Sequence, residues 1–211
     1  MNKNQLTNFI TKYTLGGEIK STKWTSNGDS LSTRFISGDK SVVGKVVLSK
    51  FSHLSPCELG VYNTGQLSSL LSVLGDDIDI NLSQSGDKFI SMEFEDTKRK
   101  TKSKYMLSDL SVIPTPPALK NLPDSFELGI KVDPYFINTF TSGKSALAEA
   151  ETFTILTENG ETKIVIGYAS IASNRVTIPV ETTKNAEIEP ISFNANMFAS
   201  ILNANKDCES A

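Results

Sequence analysis

Histidine occurs once in the 211 residues, at position 53, cysteine only twice and tryptophan once. A lone His53 supplies neither a histidine-rich metal site nor a secure nucleophile-base triad, and its context reads as surface or loop. Cys57 and Cys208 are isolated thiols without framework spacing, which fits a reducing compartment. No apolar run approaches the roughly 18 residues needed to span a bilayer. No signal peptide is recognised either, so a soluble protein without a membrane partner is expected. Positive charge is also in deficit. With 21 Lys and Arg against 24 Asp and Glu, the net charge of -3 excludes a simple basic nucleic-acid binder. Any DNA contact must come from charge arranged locally.

Catalytic signals are equally sparse. Gly143-Lys144-Ser145 has the end of a phosphate loop, but Asn138 stands where the first glycine is required and the triplet follows a helix rather than a strand. The acidic pairs Asp76-Asp77 and Glu149/Glu151 fall in turn-like sequence and read as solvated loop charge. Trp24, alone in a strand, reads as packing. No catalytic residue, metal or cofactor is expected, and the chain is not read as an enzyme.

What is present is a repeat. Asn2, Asn63, Asp133 and Asn194 each precede an apolar stripe and can cap a helix; they are spaced by 61, 70 and 61 residues. At +4 stand Leu6, Leu67, Ile137 and Phe198; at +7, Phe9, Leu70, Phe140 and Ile201; at +8, Ile10, Leu71, Thr141 and Leu202. Eleven of these twelve positions are apolar, the one-sided pattern of an amphipathic helix. Gln5 and Gln66 add a capping-box arrangement, Pro134 takes a first helical position, and Gly16-Gly17 suits the end of the first helix.

Strand-like runs follow each helix: 18–25, 30–37 and 41–50; then 78–83, 89–95 and 103–108; then 151–157, 162–170 and 175–183. Turn signals join them at 27–29, 38–39 and 85–87. Glu58-Leu-Gly-Val and Glu127-Leu-Gly-Ile open the second and third units almost identically, with extended runs over 58–62 and 126–132, and 190–193 opens the fourth. Residues 113–123 hold four of the eight prolines and read as a stiff connector. The expected organisation is therefore a first domain over 1–112, a connector over 113–123 and a second domain over 124–211. Each domain comprises two strand-helix-strand-strand-strand units, and the second lacks its last strands.

The four helices cover about 46 residues, for which composition predicts about five acidic side chains, and they hold none. Lys3, Lys12, Lys144 and Lys206 are the charged groups there, among Asn, Ser and Thr. Glutamate is a good helix former, so its exclusion makes sense if all four helices face a polyanion. Lysines and neutral donors would then meet phosphate without reading bases.

In the order of these elements, in the segment Val61-Tyr-Asn-Thr-Gly-Gln-Leu-Ser-Ser-Leu-Leu-Ser-Val-Leu74, and in the proline-rich connector, the chain resembles the DNA polymerase sliding clamps, specifically those of T4-like bacteriophages. The resemblance implies an α+β clamp fold whose helices line the hole of a head-to-tail homotrimer around duplex DNA. It implies no enzymatic activity. The partners would be double-stranded DNA without sequence preference, the replicative polymerase and an ATP-driven clamp loader, in the cytoplasm of an infected bacterium. The subunit junction would join Lys102, Lys104, Tyr105, Met106 and Leu107 to Val176, Ile178 and Val180 of a neighbour, steered by basic residues 98–104 and by Glu181, Glu187 and Glu189. Partner tails would dock near Val112, Ile113, Leu119 and Leu122. The family has about three more strands after the fourth helix than the sequence supplies. A phage structural or receptor-binding β-rich protein with no DNA role is the alternative.

Overall fold

A computed structural model describes residues 1–118, 125–169, 174–184 and 186–208. It is a mixed α+β structure with antiparallel sheets and four α-helices among the described residues. The chain divides into two compact units, Met1–Leu119 and Lys120–Ala211. No helix among the described residues is long and apolar enough to cross a membrane.

In the first unit, α1 (Lys3–Thr14) leads through a left-handed corner into β1 (Thr22–Ser26), β2 (Ser30–Ile36) and β3 (Val43–Ser49). Then come β4 (Cys57–Val61), α2 (Thr64–Ser72), β5 (Ile78–Ser85), β6 (Lys88–Asp96) and β7 (Lys102–Met106). The first corner falls one residue earlier than the glycine pair suggests, because Leu15 itself adopts a left-handed φ of 47°. β1 starts four residues later than expected, since residues 15–17 form a tight turn first.

The sheets show how the repeat is assembled. β4, which opens the second unit of sequence, leaves it to pair with β1, in the order β3-β2-β1-β4, with Trp24 opposite Leu59. Conversely, Asn2 bridges to Asp77 at the start of the sheet β5-β6-β7. Each strand that opens one repeat thus pairs beside the strands of the other. Gly60 permits the remaining link, an antiparallel bridge to Ser108: a Cβ there would stand 2.2 Å from the Ser108 carbonyl oxygen.

The apolar stripes meet these sheets. Leu6, Phe9, Ile10 and Tyr13 of α1 and Leu67 and Leu71 of α2 are buried with Trp24, Leu31, Leu59, Met92 and Phe94. Phe9 and Trp24 pack edge to face at 5.5 Å. The Tyr13 hydroxyl accepts from Trp24 Nε1 at 3.2 Å and donates to Thr64 Oγ1 at 3.3 Å, so α1, β1 and α2 share one buried polar contact. Burial pushes the Tyr13 phenol well above its ordinary pKa.

The second unit repeats the plan. It runs β8 (Gly129–Ile130), α3 (Pro134–Ala146), β9 (Thr152–Glu158), β10 (Glu161–Ile166), β11 (Val176–Pro179), β12 (Thr182–Lys184), β13 (Ile191–Asn194) and α4 (Ala195–Ala204). Its main sheet has the order β11-β10-β9-β13, the counterpart of β3-β2-β1-β4. Phe140 sits between Phe153 at 5.2 Å and Phe198 at 4.9 Å in its core.

Three expected strands are corrected. The run 175–183 is two strands: β11 ends at Pro179, one further bond runs from Val180 N to Thr162 O at 3.1 Å, and the chain then turns so that β12 pairs with β8. The run 126–132 shortens to the two residues of β8. The run 162–170 ends at Ile166, before Gly167 with φ 79°; its last residue lies outside the described residues.

Removing the shared hydroxyl tests this packing. Tyr13→Phe strips the Trp24 indole N–H of its acceptor, at a cost of about 1–3 kcal/mol. The expected result is a lower urea midpoint followed through Trp24 emission, the only tryptophan signal in the chain; an unchanged midpoint would show that the hydroxyl contributes nothing.

Candidate nucleic-acid interface

All four helices begin at the Asx residue that the spacing predicts. Asn2 Oδ1 accepts from Asn4 N at 2.8 Å, Asn63 from Gln66 N at 3.0 Å, Asp133 from Phe136 N at 2.8 Å and Asn194 from Met197 N at 2.9 Å. The capping box at Asn63 does not form as expected. Its backbone N–H donates to the Tyr105 hydroxyl at 2.9 Å, so a residue of β7 takes the place assigned to the Gln66 side chain.

None of the 24 acidic residues lies within α1, α2, α3 or α4. Their outer faces carry hydroxyls and amides, and these behave differently. Thr7 donates to Lys3 O at 3.1 Å, Thr11 to Thr7 O at 3.0 Å, Ser69 to Gly65 O at 3.0 Å, Thr139 to Tyr135 O at 2.8 Å and Ser145 to Thr141 O at 2.9 Å. Each hydroxyl has a single proton and spends it on the turn before it, leaving lone pairs outward. These five hydroxyls are therefore not the outward donors expected from the sequence. That part falls to the exposed carboxamides of Asn4, Asn8, Asn138, Asn196 and Asn203.

The four lysines separate in the same way. Lys144 is 8% exposed, and its ammonium donates to Ala148 O at 2.8 Å and Leu147 O at 3.4 Å. It closes the C-terminal end of α3, where carbonyls lack intrahelical partners and the helix dipole favours a cation. A phosphate-facing Lys144 is corrected accordingly. Lys3 is half-buried and donates to Leu74 O, tying the start of α1 to the end of α2. Lys12 is half-buried in the last turn of α1, and Lys206 is exposed beyond α4.

The residues expected at a subunit junction lie on or beside two sheet edges, β7 and β11. Met106 is 60% exposed, while Leu107, Val176 and Val180 are half-buried. Tyr105 and Ile178 are core side chains, buried because their strand alternation turns them inward, so only their backbone is available at an edge. Lys102 pairs with Glu95 at 3.1 Å and Lys104 with Glu93 at 2.9 Å across β6. Lys131 holds Glu181 at 2.9 Å. Lys102 first, then Lys100, keeps the Glu95 carboxyl below the ordinary range. Apart from the half-buried Glu95 these side chains are exposed, so such pairs are weak, but they neutralise locally the charges expected to steer the junction.

Asp96 organises the basic turn beside them. Its carboxylate accepts from Lys98 N, Arg99 N and Gly75 N, each at 2.8 Å, and the Arg99 bond leads in holding its pKa down.

Of the expected partner-docking residues, Val112 is 57% exposed and Ile113 is buried at 3%, so Ile113 belongs to the first unit's packing. Leu119 and Leu122 lie outside the described residues. The sequence reading missed a cleft of about 360 Å³ that opens beside the connector, lined by Glu18–Ser21, Arg34–Ile36, Gly38, Pro114 and Pro116. Its signal was present: Arg34 is the only charged residue in β2.

His53 is exposed and its ring lies 5.3 Å from that of Phe51. Among the described residues no three His, Cys, Asp or Glu side chains gather as a metal site. Comparison with models of known protein families gives no match, and comparison with curated proteins gives none either.

Lys144→Met distinguishes an end-closing role from phosphate contact. It removes the bond to Ala148 O and the longer one to Leu147 O, which keeps its bond from Ala150 N, with an expected loss of about 1–3 kcal/mol in chemical denaturation of the second unit. Duplex binding at low salt should fall no further than the loss of folded protein explains. Weakened binding with unchanged stability would return Lys144 to the DNA face.

Proposed function

We propose that the chain is a subunit of a DNA sliding clamp of the T4-like phage type, a processivity factor that tethers a replicative polymerase to duplex DNA. The observation that carries this reading is the exclusion of all 24 acidic residues from four helices that start on matching caps. A protein that only needs soluble helices has no reason to avoid glutamate. One whose helices lie along a polyanion does, because each carboxylate on that face is repelled by phosphate.

Two further features support the reading. The sheet orders β3-β2-β1-β4 and β11-β10-β9-β13 repeat one plan in each unit, as expected for a clamp fold of two similar domains. The edges of β7 and β11 have unpaired strand faces that a head-to-tail homotrimer would use. In this account the protein has no catalytic activity of its own. An ATP-driven loader opens the ring, and the polymerase docks beside the connector, in the cytoplasm of the infected bacterium.

The chemistry of the helix faces suits sliding better than tight binding. With hydroxyl protons turned inward and two of the four lysines closing helix ends, the outward groups are carboxamides, which give phosphate weak, exchangeable contacts.

The test places carboxylates where the sequence avoids them. Asn8→Glu, Ser69→Glu, Asn138→Glu and Asn203→Glu together should reduce association with a duplex at low salt by at least about tenfold, measured by anisotropy. The matched glutamine set should retain it, with both sets unfolding at similar urea concentrations. Equal DNA association of the two sets would remove the basis of the proposal.

A further inference from the structure

Thr115 is exposed between Pro114 and Pro116, and its Oγ1 accepts from Lys23 Nζ at 2.9 Å. A residue that precedes proline is held extended, and a preceding proline offers no N–H to bond, so the hydroxyl is carried on a stiff, open strand of connector. The next two residues are tied down beside it. Arg34 Nη2 donates to Pro116 O at 3.2 Å and also to Pro117 O.

The surroundings of this hydroxyl are short of negative charge. Lys23 on β1 is the register partner of Arg34 on β2, and Arg34 is the partner of Lys45 on β3. Neighbouring strands are about 5 Å apart, so the row spans about 10 Å. Like charges directly opposite one another destabilise a sheet, and none of the three forms an ion pair among the described residues. The partner that Lys23 has there is a neutral hydroxyl. Ser55-Pro56 repeats the Thr115-Pro116 pattern at an exposed position, but no basic side chain bonds to Ser55 among the described residues. The cations, and not the dipeptide, set Thr115 apart.

We propose that Thr115 is a phosphorylation site and that its phosphate is the counter-charge the row lacks, latching the start of the connector to the first sheet. The donor is ATP held by a Ser/Thr protein kinase. Thr115 Oγ1 attacks the γ-phosphorus; the new O–P bond forms as the bond to the ADP oxygen breaks, its electron pair leaves on ADP, and the hydroxyl proton passes to a carboxylate of the kinase. The product carries a charge of about −1.5 to −2 at neutral pH, on the oxygen that Lys23 already holds. A charged acceptor makes that bond about twice as strong as the neutral hydroxyl does. The inference goes beyond the proposed function and takes nothing from it.

The test uses the full chain with Ser55→Ala, which leaves Thr115 as its only Ser-Pro or Thr-Pro hydroxyl. The folded protein is treated with ATP and a proline-directed Ser/Thr kinase, and the modified residue is located by mass spectrometry. Phosphate should appear at Thr115. Phosphorus NMR then follows the titration of that phosphate beside the same phosphothreonine in a free peptide of residues 110–118. In the protein it should titrate at a pH at least about 0.5 lower, because a neighbouring ammonium favours the dianion. Lys23→Gln should abolish the difference and Lys23→Arg should keep it. Absence of phosphate at Thr115 would overturn the proposal, as would equal titration in protein and peptide or a difference that survives Lys23→Gln. Inorganic phosphate added to the unmodified chain should keep its free signal; a shift removed by Lys23→Gln would replace the covalent site with one for a free anion. No DNA enters any of these measurements, so their failure leaves the helix-face carboxylate test standing, and the failure of that test leaves these intact.

Discussion

An Asx side chain folded back onto the first turn of its own helix is the constraint on which the rest of the structure depends. The cap is worth only about 1 kcal/mol at each helix, far less than the burial it directs. Its importance is geometric. By fixing where the helix begins, it fixes the angle at which the incoming chain meets the apolar stripe, and Leu6, Leu67 and Ile137, each four positions on, are 0%, 0% and 3% exposed. Moving the start by one residue would turn the incoming chain by about 100° about the helix axis relative to the stripe. The Tyr105 hydroxyl, which receives the Asn63 N–H, shows a sheet strand completing the second cap from outside the helix.

This is why the helices were legible in the sequence and the sheets less so. Cap and stripe are local, and all four appear where the spacing places them. Strand partners are not local. That 58–62 is extended could be read from its residues; that β4 would leave its own repeat to pair with β1 could not, since register depends on which face is buried after folding. Pro179 does not by itself announce the break in 175–183, because at the edge strand its missing N–H costs no bond to β10, and Val180 N still donates to Thr162 O at 3.1 Å.

The site was legible in composition and misread in geometry. The absence of carboxylates from the helices holds in the structure. The roles given to individual lysines do not all hold, because a lysine near a helix end finds orphaned carbonyls closer than any ligand, as Lys144 and Lys3 do. A similar local competition applies to the hydroxyls, whose protons are captured by carbonyls in the preceding turn.

The most direct measurement of the central claim is topological. If the carboxylate-free helices line a ring that encloses DNA, protein loaded onto a nicked circular duplex should remain bound through gel filtration, and cutting that circle once should release it through the new ends. Retention on the linear product equal to that on the circle would contradict the account, because the link would then be ordinary binding rather than enclosure.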